Sequence, residues 1–283
     1  MPLAPTRTTA RVRRWIAALA VAALTALAPA GPASAAGTWP NSMDALGDSI
    51  TRGFNTCTFP FTDCPANSWS SGTSSTVNSH YLRILANNAG IQGRNYNDAV
   101  SGAKAAGVVS QADSAVSRGA EYVTIDIGAN DACTSSESTM TSVSSYQSSV
   151  SSFLGKLSTG LPNSKVFLAS VPDVYHLWEV FHTSSSAVNT WNLYGICQSL
   201  LANATSTSTT DDARRQRVRQ RVIDFNNVLQ TECAKYANCR FDGFAAYDYK
   251  FVASDVSTRD YFHPSVSGQA SVARITWNAT WAF

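Results

Sequence analysis

The sequence predicts an α/β fold, a three-layer α/β/α sandwich in which helices cover both faces of a central parallel sheet. Short apolar runs of β-rich composition alternate along the chain with longer segments whose apolar residues recur at helical spacing. Such alternation is typical of parallel sheets, which bury both faces under helices. Neither an internal repeat nor a second domain is visible, so we expect a single domain over residues 36–283.

The first half of this domain is expected to hold three strands, at 43–46, 95–100 and 122–127. The third of them, YVTIDI, is rich in β-forming residues and predicts a buried strand. Between the strands, the segments 80–88 and 105–118 are expected to be helical, and the first has its apolar residues at helical spacing.

The serine-rich segment 138–157 opens the second half. Its apolar residues recur at helical spacing, which favours an amphipathic helix over a disordered linker. The other expected elements are a strand at 165–170, helices at 187–202 and about 211–236, a strand at 240–244 and a final helix at 267–279. Thr210 or Asp211 is expected to cap the long helix.

The amino terminus has the pattern of an export signal. A basic region at 11–14 precedes an apolar run at 16–28, and Ala33-Ser34-Ala35 matches a signal-peptidase site. The run is shorter than the roughly 20 residues that a membrane span needs. We therefore expect residues 1–35 to be a cleaved signal peptide and the mature chain to be secreted and extracellular, by an export route that stays open.

Net charge argues against nucleic acid as a partner. Four of the 21 Lys and Arg residues lie in the first 36 residues, which leaves 17 basic against 19 acidic residues in the mature chain. A near-neutral chain gives no electrostatic case for binding a polyanion. Nothing in the sequence demands more than a monomer.

Six cysteines follow the expected signal peptide, and an even number in a secreted chain predicts three disulfides. Sequence alone allows 15 connectivities. The close spacing of Cys57 with Cys64 and of Cys233 with Cys239 favours two local bridges, which would leave Cys133 to pair with Cys197. Because no Cys-x-x-Cys occurs, neither a zinc site nor a redox site is expected.

Polar clusters follow three of the expected strands, where ligands of parallel α/β sheets bind. They are Gly47-Asp48-Ser49, Ser101-Gly102 and Gly128-Ala129-Asn130-Asp131, and a fourth cluster, Asp260-Tyr261-Phe262-His263, precedes the last helix. Serine becomes a nucleophile when a base removes its proton, and that base is usually histidine.

Among the four histidines, His263 has a carboxylate three residues earlier, at Asp260, in a tight loop before the last expected helix. That carboxylate would orient the ring and stabilise its charge, as in a catalytic triad. The backbone N–H groups of Ser49 and Gly102 and the side-chain amide of Asn130 are candidate donors for an oxyanion hole.

In these four blocks the chain resembles the GDSL/SGNH hydrolases. The blocks read ALGDSITRG at 45–53, AVSGA at 99–103, IGAND at 127–131 and DYFHPS at 260–265, in the family's order. Ile50 stands where the family usually has leucine, and the Gly-x-Ser-x-Gly signature of α/β-hydrolases is absent.

The resemblance implies the flavodoxin-like SGNH hydrolase fold and hydrolysis of carboxylic esters without a metal or other cofactor. It implies that Ser49 is the nucleophile, that Ser49, Gly102 and Asn130 form the oxyanion hole, and that His263 is the base with Asp260 as its partner. Some family members orient the histidine with a backbone carbonyl instead, which is the alternative to this role of Asp260. Secretion and six cysteines resemble the family's extracellular actinobacterial branch.

Three functions stay open at this point. The chain is expected to cleave lipid or phospholipid acyl esters, and its substrate would then lie in lipid aggregates or at a membrane surface. A carbohydrate acetyl esterase and a catalytically inactive binding module are the alternatives. The aromatic residues at 175–194 and 54–69 either pack in the core or form an acyl-binding wall. His176 and the arginine run 214–221 are interpreted as a packed histidine and a solvated helix face, rather than as substrate contacts.

Overall fold

Five parallel strands form the central sheet of the protein, in the spatial order β2-β1-β3-β4-β5. Their bounds are β1 Met43–Gly47, β2 Asn95–Asn97, β3 Tyr122–Asp126, β4 Lys165–Leu168 and β5 Cys239–Phe241. Every neighbouring pair is parallel, which confirms the predicted α/β class. The computed structural model describes residues 1–4 and 38–283, so the expected signal peptide and its cleavage site lie outside the described residues, apart from the first four.

Helices connect the strands and follow the last of them. Within the described residues they are α1 His80–Leu85, α2 Ala105–Arg118, α3 Ala129–Ala132, α4 Val143–Gly160, α5 Val174–Phe181, α6 Ser185–Tyr194, α7 Gln198–Leu201, α8 Thr209–Cys233, α9 Ala245–Asp248 and α10 Val266–Ala279. In the same described part of the chain, four single 3₁₀ turns lie at Pro65–Asn67, Ala89–Ile91, Glu137–Thr139 and Ala253–Asp255.

Contacts to alternate residues of the sheet show that helices cover both faces. Tyr122 of β3 hydrogen-bonds His80 of α1 and Thr280, which follows α10. Successive side chains of a strand point to opposite faces. Asp44 of β1 lies beside Val123 rather than beside Tyr122, and it forms an ion pair with Arg118 of α2. The sheet is therefore the middle layer: α1 and α10 lie on one face, and α2 lies on the other.

Helix boundaries differ from the sequence-based expectation in the aromatic region. The segment from Val174 to Phe181 is the helix α5, which was not predicted, and the expected helix at 187–202 is two helices. Gly195 ends α6 in the left-handed conformation, with φ of 61°. The long helix α8 is capped by Ser208, whose side chain accepts the Asp211 N–H, and not by Thr210 or Asp211. The capping prediction was wrong because several Ser and Thr residues precede the helix and local sequence does not choose among them.

Three disulfides join Cys57 to Cys64, Cys133 to Cys197 and Cys233 to Cys239, the pairs expected from their spacing. The second bridge ties the chain after α3 to the residue before α7, so it holds two loops across a separation of 64 residues. No helix among the described residues is long and apolar enough to cross a membrane.

Candidate active site

The candidate nucleophile Ser49 lies in the turn that follows β1. Gly47 ends this strand with φ of 134°, and a Cβ there would lie 2.1 Å from the backbone oxygen of Asp126. Only glycine fits this close approach of β1 to β3. The Asp48 carboxylate then accepts the Ile50 N–H at 2.9 Å and stabilises the turn that presents Ser49.

His263 comes to Ser49 from a tight loop before α10. The distance from His263 Nε2 to Ser49 Oγ is 2.8 Å, and the distance from His263 Nδ1 to Asp260 Oδ2 is 2.6 Å. In the tautomer that fits both contacts, Nδ1–H donates to Asp260 and Nε2 accepts the Ser49 hydroxyl. The structure thus brings together the three predicted residues Ser49, His263 and Asp260 in the geometry of a nucleophile, a base and an orienting acid.

The loop geometry also determines the charge of Asp260. Asp260 is only 2% exposed, and its Oδ1 accepts the backbone N–H groups of Phe262 and His263, both at 3.0 Å. Burial by itself raises the pKa of Asp260. The hydrogen bonds and the charge of His263 outweigh that effect, so the pKa lies below its ordinary value of 3.8.

Asn55 is a part of this site that sequence analysis did not single out. It is buried, and its Nδ2 donates to Asp260 Oδ2 at 2.5 Å while its Oδ1 accepts the Phe61 N–H at 2.5 Å. Asn55 therefore joins Asp260 to the loop that the Cys57–Cys64 disulfide closes. Its φ of 65° is typical of Asn or Gly in a turn, but no local signal relates it to a residue 205 positions away.

The two other predicted oxyanion donors lie together on a polar groove. Gly102 has φ of 83° and open space where a Cβ would be, and Asn130 is the second residue of α3, directly after β3. The Asn130 amide donates to Ala103 O at 3.0 Å and to Asp48 Oδ2 at 3.3 Å. The groove is lined by Gly102, Lys104, Asn130, Cys133, Thr134, Ser135 and Thr139.

Buried carboxyl groups lie close to the candidate nucleophile Ser49 in the fold, at Asp48 and Asp126. Burial raises the pKa of Asp48 from 3.8 to about 6, although the Ile50 N–H and the nearby His263 lower it. Burial and the negative charges of Asp48 and Asp242 raise the pKa of Asp126 well above its ordinary value. Carboxyl groups that share one buried space resist simultaneous ionisation, so this cluster holds protons at pH values where exposed carboxyls are charged.

Two of the three remaining histidines are engaged on both ring nitrogens elsewhere. His176 is bound between Glu179 Oε2, at 2.8 Å, and Phe251 O, at 3.0 Å. His80 is buried between the hydroxyls of Tyr122 and Thr276, and burial lowers its pKa to about 3.

Much of the arginine run is also engaged. Arg217 pairs with Glu137 and Arg219 with Asp173, while Arg215 is buried with its guanidinium 4.2 Å from the Trp178 ring. Arg215 therefore departs from the predicted solvated face, because the part of α8 that carries it packs against the aromatic α5.

The aromatic residues divide between core and surface. Trp69, Tyr175, Phe181 and Trp191 are buried, whereas Phe59, Phe61 and Tyr194 are exposed, and Phe54 packs against the His263 ring at a centroid distance of 4.7 Å. In residues 1–4 and 38–283, no group of three His, Cys, Asp or Glu side chains could hold a metal ion.

The fold and these contacts define an α/β protein in which a serine, a histidine and an aspartate are linked by hydrogen bonds at the carboxyl end of a parallel sheet. The family model described as GDSL-like lipase/acylhydrolase matches residues 45–275. The chain therefore belongs to the GDSL-like lipase/acylhydrolase family, whose members hydrolyse ester bonds.

Solved structures with a similar fold include phospholipase A1 from Streptomyces albidoflavus. That protein is 16% identical over 84% of this chain and 98% of its own, with a TM-score of 0.51, which shows a shared fold. A family 3 carbohydrate esterase from Clostridium thermocellum is 14% identical over 84% and 93% of the two chains, with a TM-score of 0.48. A psychrotrophic esterase from Pseudoalteromonas is 13% identical over 84% and 96%, with a TM-score of 0.46. No curated protein is significantly similar to the chain.

Proposed function

We propose that the protein is a secreted serine hydrolase that cleaves carboxylic esters, in particular acyl esters of lipids, through an acyl-enzyme on Ser49. The observation that carries the proposal is a pair of side-chain hydrogen bonds that share His263. They join Ser49 Oγ to His263 Nε2 at 2.8 Å and His263 Nδ1 to Asp260 Oδ2 at 2.6 Å. A serine held in this way has a base within reach for its proton, which an ordinary helix-capping serine lacks.

In the proposed reaction, Ser49 Oγ attacks the ester carbon while its proton passes to His263 Nε2. The carbonyl oxygen becomes an oxyanion, which the N–H groups of Ser49 and Gly102 and the Asn130 amide would stabilise. His263 then gives its proton to the leaving alcohol as the C–O bond breaks. A water molecule, deprotonated by the same nitrogen, attacks the acyl-enzyme and releases the acid and free Ser49.

Secretion is supported by two features of different parts of the chain. All six cysteines are paired in disulfides, which persist mainly in oxidising compartments. The amino-terminal residues have the sequence pattern of a signal peptide.

Lipid esters are favoured by apolar side chains on and beside the site. Phe54 packs on the His263 ring, and Phe61 packs on Tyr194 with 5.0 Å between ring centroids. Phe59, Phe61, Leu193 and Tyr194 are all exposed, which is unusual for large apolar residues grouped in this way. A substrate that lies in a lipid aggregate would contact such side chains.

Labelling with a fluorophosphonate probe tests the nucleophile directly, because the probe reacts only with an activated serine. We expect the mature protein to be labelled at Ser49 and to hydrolyse p-nitrophenyl esters, and Ser49→Ala to lose both properties. Ser152→Ala removes an exposed serine of α4 and is the matched control. An unlabelled, inactive but folded wild-type protein would identify it as an inactive binding module.

Substrate preference is tested with esters from acetate to palmitate, phosphatidylcholine and acetylated xylan. Hydrolysis that increases with chain length, together with fatty acid release from the phospholipid, would support the lipid proposal. Release of acetate from xylan, with no activity beyond butyrate esters, would support the carbohydrate esterase instead.

A further inference from the structure

An apolar cavity lies between α5, α10 and the chain that follows α9. It is bounded by side chains from each of these segments and from the turns around the active site. Its lining residues are Ile50, Ala129, Pro172, Val174, Leu177, Ala246, Tyr249, Phe251, Asp255, Val256, Phe262, Pro264, Gly268, Val272 and Ile275.

Several walls of the cavity are the chain neighbours of the proposed catalytic residues. Ile50 follows the nucleophile Ser49, and Ala129 precedes the oxyanion donor Asn130. Phe262 and Pro264 lie on either side of His263 in the chain. When the carbonyl carbon of an ester lies at Ser49, the acyl group attached to it would therefore have only a short distance to cover before it enters the cavity.

The walls offer apolar contacts and little hydrogen bonding. Asp255 is the one charged residue among those that line the cavity, and its carboxylate already accepts the Tyr249 hydroxyl at 3.0 Å and the Val252 N–H at 3.2 Å. Two serine hydroxyls, of Ser267 and Ser271, approach its other oxygen at 3.3 Å. These contacts occupy both carboxylate oxygens of Asp255. A sugar hydroxyl in the cavity would therefore give up its hydrogen bonds to water without forming new ones to the protein.

The other side of the Ala129–Asn130 pair has the opposite character. Ala129 faces the apolar cavity, whereas Asn130 lines the polar groove with Gly102, Lys104 and Thr134. The oxyanion donors therefore lie where an apolar space meets a polar one. An ester with one apolar and one polar arm matches this division.

We propose that this cavity binds the acyl chain of the ester, so that the protein selects substrates with an apolar acyl group of several carbons. The inference rests on the proposed ester hydrolysis by Ser49. Each methylene that leaves water for an apolar wall contributes a factor of roughly four to binding. The value of kcat/KM should therefore increase with acyl length until the cavity is full, and then level off.

Filling the cavity tests the inference. Val272→Trp on α10 adds bulk where the native side chain lines the cavity, and Val252→Trp adds the same bulk at an exposed position outside it. For Val272→Trp we expect kcat/KM for octanoate esters to fall about tenfold or more, with acetate esters changed less than twofold. Val252→Trp should leave the whole chain-length profile unchanged.

A small fluorophosphonate probe separates the possible failures. If wild-type protein reacts neither with the probe nor with acetate ester, the proposed function is wrong. If Val272→Trp retains probe labelling and its chain-length profile equals that of wild type, or if wild-type activity is confined to acetate, the cavity does not bind the acyl chain. Ile275→Trp, at a second half-buried lining position, repeats the test in case Val272→Trp does not fold, and the same two outcomes apply to it.

Discussion

The proposed active site has two halves that are built in different ways. In the proton-transfer half, Ser49, His263, Asp260 and Asn55 form one line of side-chain hydrogen bonds of 2.8 Å or less. In the oxyanion half, Gly102 is exposed and lies on a loop, and the Asn130 amide donates to Ala103 O and Asp48. The first half is assembled without substrate, whereas in the second both Asn130 amide hydrogens have protein acceptors, so one of them must turn to the oxyanion when it forms.

This difference follows from what each half does. A base transfers a proton only over hydrogen-bond distance and in one tautomer, so its orientation must be determined before the substrate arrives. The oxyanion donors act on charge that develops only in the transition state, and each contributes separately. Loss of His263 or Asp260 from the first half should therefore stop catalysis almost completely, and loss of an oxyanion donor should weaken it in part.

Replacement of His263 should have the largest effect. His263→Ala removes the base, and we expect kcat to fall roughly 10⁵-fold with little change in KM. His176→Ala is the matched control, because His176 is likewise hydrogen-bonded on both ring nitrogens but lies outside the site. Initial rates of p-nitrophenyl butyrate hydrolysis give kcat and KM for both variants. A loss below a hundredfold would remove His263 from the proposed mechanism.

Asp260→Asn should lower kcat about 10⁴-fold, because an amide in place of the carboxylate favours the wrong histidine tautomer. The same assay compares it with wild type across pH 5–9. If activity stays within tenfold, a backbone carbonyl rather than Asp260 orients His263, as in some relatives of the family.

Asn130→Ala tests the other half of the comparison. We expect kcat to fall about 10²- to 10³-fold, since one donor to the oxyanion is lost, while probe labelling of Ser49 continues at a reduced rate. A loss equal to that of His263→Ala would contradict the distinction between the two halves. Thr134→Val, in the same groove, is the control for a general change of polarity.

Asp48 connects the halves, and its titration predicts a stability effect. Because its pKa in the folded protein is about 6, above the ordinary 3.8, the folded state holds its proton more tightly than the unfolded state. Its contribution to stability is full below 3.8 and is lost as the pH rises through 6. That loss amounts to about 3 kcal/mol.

Urea unfolding at pH 4 and pH 8 measures this effect as a difference. Relative to wild type, Asp48→Asn should gain up to about 3 kcal/mol in free energy of unfolding between pH 4 and pH 8. The exposed Asp113→Asn should gain none. A difference that does not change with pH would mean that folding does not raise the pKa of Asp48.

Asn55→Ala should have the smallest effect on the site. It removes a donor to Asp260 but leaves the triad in contact, so kcat should fall about tenfold with KM unchanged. Without that donor, Asp260 becomes the stronger partner of protonated His263, and the acid limb of the pH profile should move to higher pH. A purely structural role would lower stability without moving the limb. Asn67→Ala, which removes another loop asparagine, provides the comparison.

Local patterns accounted for most of the fold because each strand or helix carries its own periodicity. The helix predicted at 105–118 has the bounds of α2, and the polar blocks were expected at strand ends, where Ser49 and Asn130 do lie. By contrast, α5 was missed: Asp173 stands at its N-cap without a side-chain cap hydrogen bond, and its aromatic residues Tyr175 and Trp178 pack against arginines of α8, which lies more than 25 residues further along the chain.

The sequence by itself determined the class of fold, the identity of the candidate nucleophile and base, and a pairing of cysteines by proximity, because these depend on residue type and short spacing. Only the tertiary structure decided which aromatic residues are buried and which are exposed. It also decided that Asn55 contacts Asp260, and that Ile50, Val272 and Phe262 enclose one apolar space. These relations join residues up to about two hundred positions apart. Such pairs meet only when the sheet and its helices pack, and no local pattern records that meeting.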